Sequence, residues 1–248
     1  GRLRARNGHR EPYGVRYWQV GNEQGGPDYE ARLPAFGRAM KEADPSIQLL
    51  ASYPSPGVVR GAGAWLDFVC PHHYDCANLG AVEAQLDSLR RMLKQLAPDR
   101  NIRVAVTEWN TTGGDFGPGR ARLWTLENAL ACARYQNLLH RHCDLVPIAN
   151  RSNLVNSFCS GIIQTAPQRL YVTPTYHAQA LYATLAGDRP LRIDSPLPAN
   201  AAPDLSATIA ERDGTVSLFA VNDGPEPITR PLDLSAFGAD GPDLTVWT

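Results

Sequence analysis

The sequence predicts an α/β protein with a parallel sheet, followed by a smaller region made of strands. In the first 190 residues, short apolar runs rich in β-branched and aromatic side chains alternate with helical patterns, as in βα units. After Gly187 the chain becomes rich in Pro, Ala, Asn and Ser, and only strand-like runs follow. Two acidic motifs, each at the end of an apolar run, indicate where function is expected in such a sheet.

The strands of the first region are expected where buried apolar runs of strand length occur: near residues 15–20, 47–51, 67–70, 102–106 and 145–149. A closed (β/α)8 barrel needs eight strands and usually about 250 residues. The sequence therefore predicts only part of such a barrel. Because the chain starts just before a strand and stops inside another, we expect it to be cut at both ends.

Helical patterns lie between these runs. The first is expected over about 28–43, with Asp28 as its cap and Pro34 as a kink, and the second over about 81–97. A long helix is expected from about 119 to 142. The last is expected to begin at a Thr-Pro pair, 173–174, and to end before residue 187.

The region after Gly187 is expected to form a separate all-β domain. A linker over 193–203 precedes strand-like runs at 205–210, 215–221 and 244–247, and Asp213-Gly214 between the first two is typical of a hairpin turn. Runs of strands that follow βα units indicate a second domain. We therefore expect a barrel portion over 1–189 and an all-β domain over 190–248.

Composition excludes several classes of partner. The 248 residues are 43% hydrophobic and 20% charged, with a net charge near −1. A balanced charge gives no electrostatic footprint for nucleic acid or for an anionic membrane surface, and no apolar run approaches the length of a membrane-spanning helix. We expect neither nucleic acid nor membrane as a partner.

The cysteines do not form a recognisable framework. Five cysteines, an odd number, are scattered along the chain, and Cys132 and Cys143 are expected in or near the long helix as small core residues. The segment from Cys70 to Cys76, with His72 and His73 between, superficially resembles a metal site. Structural zinc usually requires a second, similar cluster, which this sequence lacks. No metal site is predicted.

Two glutamates at strand ends carry the functional prediction. Glu23 follows the run at 15–20, and Glu108 follows the run at 102–106, 85 residues further on. In α/β barrels the carboxyl ends of the strands carry the catalytic residues, so two such glutamates can face one pocket. Hydrolysis of a glycosidic bond needs a pair of carboxyl groups. The alternative for either glutamate alone is that it merely ends its strand in solvent.

These motifs resemble those of the α-L-arabinofuranosidases of glycoside hydrolase family 51. The likeness rests on the sequence Tyr-Trp-Gln-Val-Gly-Asn-Glu at 17–23, Thr-Glu-Trp-Asn at 107–110 and Pro-His-His-Tyr at 71–74. The resemblance implies a partial (β/α)8 TIM barrel containing strands 4 to 8, followed by a truncated C-terminal β-sandwich. It also implies that the first visible strand is the family's fourth, so that three βα units are missing.

The resemblance assigns a role to each matched residue. It makes Glu23 the general acid/base and Glu108 the nucleophile, with Tyr74 beside the nucleophile. Asn22 would hold the sugar 2-hydroxyl, and His72 matches the histidine of a His-x-Tyr motif. Asn153 falls where the family usually carries Gln, so its sugar contact departs from the pattern.

Aromatic side chains near these motifs offer apolar faces on which a sugar can stack. Trp109 and Tyr74 are expected to contact substrate, and Trp18 is expected in the core. Each of the three is also a plausible core aromatic.

The resulting prediction is a retaining exo-glycosidase. It would release terminal α-L-arabinofuranosyl groups from arabinan, arabinoxylan or arabino-oligosaccharides, with no metal or organic cofactor. The alternatives are another barrel glycosidase with the same Asn-Glu and Glu plan, such as a β-xylosidase or an endoglucanase, and a non-catalytic carbohydrate-binding remnant. The full-length protein is compatible with a homo-oligomer. Expressed alone, the chain is expected to aggregate and to lack activity.

Overall fold

A computed structural model describes residues 1–74, 76–111, 118–157, 161–194, 202–237 and 244–248. The chain divides into two compact units. The first comprises residues 1–72, 85–107 and 145–149, and the second comprises residues 73–84, 108–144 and 150–248.

The helices and strands follow one another as α1 (Arg2–Arg6), β1 (Tyr17–Val20), α2 (Pro27–Ala43), β2 (Gln48–Ala51), α3 (Pro56–Ala62), β3 (Phe68–Val69), β4 (His72–His73), α4 (Leu79–Leu96), β5 (Arg103–Trp109), a 3-10 helix (Pro118–Trp124), α5 (Leu126–Arg141), β6 (Ile148–Arg151), β7 (Ile163–Ala166), β8 (Arg169–Val172), α6 (Pro174–Leu185), β9 (Arg189–Leu191), β10 (Asp204–Ile209), β11 (Val216–Val221) and a short 3-10 helix (Ser235–Phe237). The alternation of strand and helix up to α6 is the predicted α/β pattern. No described helix has both the length and the apolar character that crossing a bilayer requires.

The first unit is built on a parallel sheet in the order β1-β2-β3-β5. Successive residues of β2, β3 and β5 are buried, as in a sheet covered by helices, whereas Tyr17 and Trp18 of β1 are exposed. Leu50, Phe68, Cys70 and Ala105 form a buried cluster on this sheet, and the partly buried Ile148 packs against it. All five expected strand positions carry strands, although β1, β2 and β3 are shorter than predicted, β5 extends to Trp109 and β6 is shifted to Ile148–Arg151.

Helix α2 differs from the prediction at its start. The predicted cap Asp28 lies inside the helix, because Pro27 occupies the first turn and Gly26 precedes it with a φ of 82°. Only glycine adopts that backbone conformation without steric cost, so it fixes the start of the helix. Pro34 lies inside α2 without ending it.

The long helix predicted over 119–142 is wrong as a single element. The chain forms a 3-10 helix over Pro118–Trp124 and then starts α5 at Leu126. Thr125 causes the break, because its hydroxyl accepts a hydrogen bond from Asn128 N (3.1 Å) and donates one to Arg122 O (2.8 Å). A threonine that caps a helix in this way separates the two segments.

The second unit contains α5, α6 and the antiparallel sheet β11-β10-β9. Tyr182 of α6 stacks on Phe219 of β11 with ring centroids 4.3 Å apart. Around this pair Asn137 is buried and hydrogen-bonds Asp204, Ser206 and the hydroxyl of Tyr182. Burial of amide and carboxylate groups is tolerated here because each has such partners.

The predicted hairpin turn at Asp213-Gly214 is confirmed, with Gly214 at a φ of 74° between β10 and β11. The strand predicted at 244–247 is wrong: those residues form no strand, and Leu244, Val246 and Trp247 are exposed. A strand requires a hydrogen-bonded neighbour, which none of the described strands supplies to them. The antiparallel hairpin of β7 and β8, helix α3 and strand β9 were not predicted. The boundary at 189/190 stays a prediction.

Candidate functional site

The chain leaves β1 through a tight turn that carries Glu23. Gly21 has a φ of 83° and Glu23 itself a φ of 51°. A non-glycine residue in this region costs roughly 1–3 kcal/mol and is held there only by its surroundings. The turn therefore lowers the stability of the folded state, and it fixes the direction in which the Glu23 side chain points from the backbone.

Three hydrogen bonds hold this turn to the end of β2. The amide of Gln24 donates to Ser52 Oγ (2.7 Å), and the amide of Ser52 donates to the Tyr29 hydroxyl (2.8 Å). Tyr29 in turn donates to the carbonyl of Val20 (2.7 Å). Burial raises the pKa of Tyr29, so its phenol stays protonated and able to donate. These contacts supply the restraint that the strained Glu23 backbone needs.

The Glu23 carboxylate is paired with His72 within the first unit. Oε1 of Glu23 lies 3.0 Å from Nδ1 of His72, and Nε2 of the same ring lies 3.2 Å from Thr107 Oγ1. The histidine side chain is 4% exposed and the glutamate side chain 52% exposed. The Tyr53 ring meets the imidazole edge-on, with centroids 5.7 Å apart. A buried, oriented imidazole thus holds a carboxylate that solvent or a ligand can reach.

A buried thiol lies behind this arrangement. Burial raises the pKa of Cys70 to about 12, and the smaller, opposing effect on this pKa comes from a hydrogen bond with the Thr107 side chain. Such a thiol stays protonated over the range in which enzymes work, so it is a donor or a weak acceptor and not a nucleophile. Thr107 is therefore bonded on both sides, to Cys70 and to His72.

Asn22, next to Glu23, is exposed. Its Oδ1 lies 3.5 Å from Gln19 Nε2, which also donates to the carbonyl of Gly21 (3.0 Å). Gln19 therefore steadies the turn more than it binds the Asn22 side chain. The Asn22 amide stays accessible for a ligand.

In the second unit the Glu108 carboxylate is paired with Tyr74. The Tyr74 hydroxyl lies 2.7 Å from Glu108 Oε2 and 2.9 Å from Ser152 Oγ. A phenol carries one proton, and an ionised carboxylate only accepts hydrogen bonds. Tyr74 therefore donates to Glu108, while the Ser152 hydroxyl donates to the Tyr74 oxygen.

Asn110 fixes the strand ends around Glu108. Its side chain is fully buried and donates through Nδ2 to the carbonyl of Ser152 (2.5 Å). Its backbone amide donates to the carbonyl of His73 (2.9 Å), and its carbonyl accepts from Cys76 N (3.1 Å). The side chain and backbone of Asn110 thus hydrogen-bond β4 and the residues that follow β4 and β6, directly after the end of β5 that carries Glu108.

Trp109 occupies a core position. Its side chain is 1% exposed, its ring lies 4.8 Å from that of Tyr135, and the Arg151 guanidinium lies 4.9 Å from its centroid. Burial lowers the pKa of Arg151. At 1% exposure Trp109 presents almost no surface to a sugar, and the predicted stacking role is a misassignment of a core aromatic.

The predictions for Trp18 and for Asn153 have different outcomes. Trp18, expected in the core, is 46% exposed, and its Nε1 donates to the carbonyl of Val15 (3.1 Å). That expectation is wrong, because strand length and aromaticity do not specify which side of a strand is covered. Asn153 is exposed and donates through Nδ2 to Ser157 Oγ (3.1 Å), and its contact with a sugar stays a prediction.

The histidines of the superficially metal-like segment have protein partners. His72 is bonded as described, and Nδ1 of His73 lies 2.7 Å from the buried hydroxyl of Tyr135. Asp75 of this segment and Cys159 lie outside the described residues. Both histidines thus have hydrogen-bonding roles within their own unit.

The structure brings together the predicted residues in two groups. Glu23 meets His72 in the first unit, and Glu108 meets Tyr74 in the second. Sequence reasoning missed the roles of Thr107 and Ser152, although Thr107 begins the Thr-Glu-Trp-Asn motif and Ser152 directly precedes Asn153. Neither periodicity nor composition identifies these two hydroxyl groups, because only their hydrogen-bonding partners in the folded sheet distinguish them from other Ser and Thr residues.

The fold is of the α/β class, with a parallel half-barrel sheet and small antiparallel sheets, as in part of a (β/α)8 barrel with an attached β domain. Two family models match the chain: the α-L-arabinofuranosidase 1 domain over residues 1–91 and the α-L-arabinofuranosidase C-terminal domain over residues 107–239. The C-terminal domain model, over residues 107–239, covers more than half of the chain. The chain belongs to the α-L-arabinofuranosidase family, glycoside hydrolase family 51.

Individual relatives agree with this membership. An intracellular exo-α-(1→5)-L-arabinofuranosidase of Halalkalibacterium halodurans is 26% identical in an alignment of 200 positions that covers 62% of this chain and 40% of the relative. The thermostable family 51 enzyme of Thermotoga petrophila superposes with a TM-score of 0.72 at 26% identity, over 86% of this chain and 52% of that one. An α-L-arabinofuranosidase of Thermotoga maritima, solved as an arabinose complex, gives a TM-score of 0.71 at 25% identity, over 88% and 54%. The chain thus spans about half the length of the relatives it matches.

Proposed function

We propose that the protein is a retaining exo-glycosidase that releases terminal α-L-arabinofuranosyl groups from arabinan, arabinoxylan or arabino-oligosaccharides. Family membership supports the substrate class, and an arabinose complex of a relative supports an arabinoside site. The observation that carries the proposed mechanism is the difference between the partners of Glu23 and Glu108. One carboxylate has an imidazole and the other has a phenol.

The proposed acid/base is Glu23. In the first step its proton passes to the leaving oxygen, and in the second step it takes a proton from water. A group with this task must exist in both protonation states within one cycle. The imidazole of His72 suits that task, since a neutral ring has one donor and one acceptor nitrogen.

The proposed nucleophile is Glu108. Its carboxylate oxygen would bond to the anomeric carbon as the bond to the leaving oxygen breaks, and water would then displace it. Tyr74 donates to this carboxylate, and hydrogen bonds to the charged form favour an ionised group. A nucleophile must be ionised before it attacks, so a phenol is the appropriate partner.

The proposal requires both carboxyl groups to serve one sugar at about the 5–5.5 Å separation of retaining enzymes. Asn22 is proposed to hold the sugar 2-hydroxyl, a contact that strengthens in the oxocarbenium-like transition state. Tyr74, His72 and Asn153 are proposed to line the same sugar site.

The test is hydrolysis of 4-nitrophenyl α-L-arabinofuranoside against the corresponding β-D-xyloside and β-D-glucoside. Turnover of the arabinofuranoside alone, with the first-formed product retaining its anomeric configuration by proton NMR, is the expected result. Preferential turnover of the xyloside or glucoside would assign the protein to another glycosidase activity. Binding of arabinose by calorimetry without any turnover would make it a carbohydrate-binding protein.

A further inference from the structure

Thr107 occupies an unusual position in the hydrogen bonding of the first unit. Its hydroxyl lies 3.2 Å from Nε2 of His72, whose Nδ1 lies 3.0 Å from the Glu23 carboxylate, and it also bonds the Cys70 thiol. Four side chains therefore form one continuous row: Cys70, Thr107, His72, Glu23. Neither Thr107 nor Cys70 has a part in the proposed reaction.

The direction of these hydrogen bonds follows from the chemistry of each group. An ionised Glu23 only accepts, so His72 must donate through Nδ1, and its Nε2 then needs a donor. The Thr107 hydroxyl supplies that proton, while the Cys70 thiol, kept protonated by burial, donates to Thr107 Oγ1.

All hydrogen bonds in this row can also point in the opposite direction, from Glu23 toward Cys70. A protonated Glu23 donates to Nδ1, so His72 carries its proton on Nε2 and donates to Thr107 Oγ1. The threonine proton then turns toward the Cys70 sulfur, a weak acceptor. A carboxylate in place of Thr107 could only accept, and an aliphatic side chain could do neither. A hydroxyl group permits both directions.

We propose that Thr107 is a positioning residue that lets neutral His72 hydrogen-bond Glu23 in both protonation states of the carboxyl group, by reversing the direction of its own hydrogen bond. The consequence for turnover rests on the proposed function, in which Glu23 alternates between acid and base. The reversal itself does not, because it concerns only the tautomer of His72. The two can be measured separately.

The tautomer is measured by 15N NMR of labelled protein at pH 9, where imidazole is neutral and carboxyl groups are ordinarily ionised. The His72 resonances are assigned by their loss in His72→Gln. We expect the native protein to carry the proton on Nδ1. In Glu23→Ala the carboxylate acceptor is gone, so we expect the proton on Nε2, donated to Thr107. The same tautomer in both proteins would overturn the proposal, whether or not the protein hydrolyses arabinosides.

The consequence for turnover is measured with Thr107→Val, which keeps the shape of the side chain and removes the hydroxyl. Loss of one hydrogen bond should lower kcat by about threefold to tenfold with KM nearly unchanged, and Thr107→Ser should restore it. In the Glu23→Ala background Thr107→Val should have no further effect, since it acts through Glu23. Thr208→Val, which removes a buried strand hydroxyl bonded to the amide of Gly187 in the second unit, is the matched control and should leave kcat unchanged.

Unchanged turnover in Thr107→Val, or an equal loss in the Glu23→Ala background, would show that Thr107 is only structural. If Thr107→Val fails to fold, the comparison of the native protein with Glu23→Ala decides the proposal alone. An arabinosidase assay without turnover in the native protein would refute the proposed function and leave the tautomer experiment standing.

Discussion

The two acidic strand ends of this protein differ in almost every physical respect. Glu23 lies beyond the end of β1 in a turn with a positive φ, and it is paired with a buried imidazole. Glu108 lies inside β5, where the sheet ladder fixes its backbone, and it is paired with a phenol. The same side chain thus has two environments.

The difference indicates how one residue type can be given two tasks. Near neutral pH an imidazole can give or take a proton, whereas a phenol, which titrates near 10, can only donate a hydrogen bond. One carboxyl group therefore lies beside a side chain that can exchange protons, and the other beside a side chain that only donates a hydrogen bond. Environment is known to separate two carboxyl groups into acid and nucleophile in glycosidases, for example when one lies in an apolar pocket and the other in a polar, hydrogen-bonded one.

Replacement of Glu108 is expected to have the largest effect. In Glu108→Ala no group remains to form the covalent intermediate, so turnover of every arabinofuranoside should fall by about four orders of magnitude or more. The measurement is kcat for the 4-nitrophenyl substrate. Azide should rescue this variant only by giving an arabinosyl azide of inverted configuration. An arabinosyl azide of retained configuration would instead make Glu108 the acid/base and Glu23 the nucleophile.

Replacement of Glu23 is expected to depend on the leaving group. Glu23→Ala should lower kcat/KM for an arabino-oligosaccharide by about 100-fold to 10,000-fold, because its leaving oxygen needs a proton. The 4-nitrophenyl substrate, whose leaving group needs no proton, should be affected far less. Added azide should accelerate that reaction and yield the azide of retained configuration. An equal loss on both substrates would contradict the acid/base role.

The partner of Glu108 is expected to contribute less than either carboxyl group. A hydrogen bond to a charged group contributes roughly 1.5–3 kcal/mol, so Tyr74→Phe should lower kcat by about tenfold to a hundredfold. Ser152→Ala should cost about threefold to tenfold, because Ser152 only holds the Tyr74 oxygen. In a Tyr74→Phe background the effect of Ser152→Ala should vanish. Additive losses would show that Ser152 acts by another route.

The smallest effect concerns two buried thiols. Burial raises the pKa of Cys70 to about 12 and that of Cys132 to about 11, so the thiolate is rare below those values. Folded protein treated with iodoacetamide at pH 8 should therefore remain unmodified at both positions, as read by peptide mass spectrometry, while the partly exposed Cys143 reacts. After unfolding in urea, both Cys70 and Cys132 should be alkylated rapidly. Rapid labelling of Cys70 in folded protein would contradict its place behind Thr107.

Particular elements show how far the sequence could be interpreted. Period and length of the apolar runs predicted the parallel strands, and the Thr-Pro pair predicted the start of α6, where Thr173 Oγ1 accepts from Tyr176 N (3.4 Å). Thr125 was overlooked as a cap, so one long helix was predicted where the chain forms two helical segments. Trp109 was expected to be accessible and is buried, and Trp18 was expected to be buried and is exposed, because aromatic character alone does not say what packs on a ring.

The sequence by itself determined the alternation of parallel strands with the larger helices, the positions of the two glutamates near strand ends, and the family to which the chain belongs. These depend on local periodicity and on short motifs, which are properties of neighbouring residues. Only the tertiary structure decided that Glu23 meets His72, that Thr107 stands behind that imidazole, and that Ser152 joins Tyr74 at Glu108. These contacts join residues between 34 and 78 positions apart, and no local pattern encodes them. The difference between the hydrogen-bonding partners of the two carboxylates is therefore a property of the folded sheet.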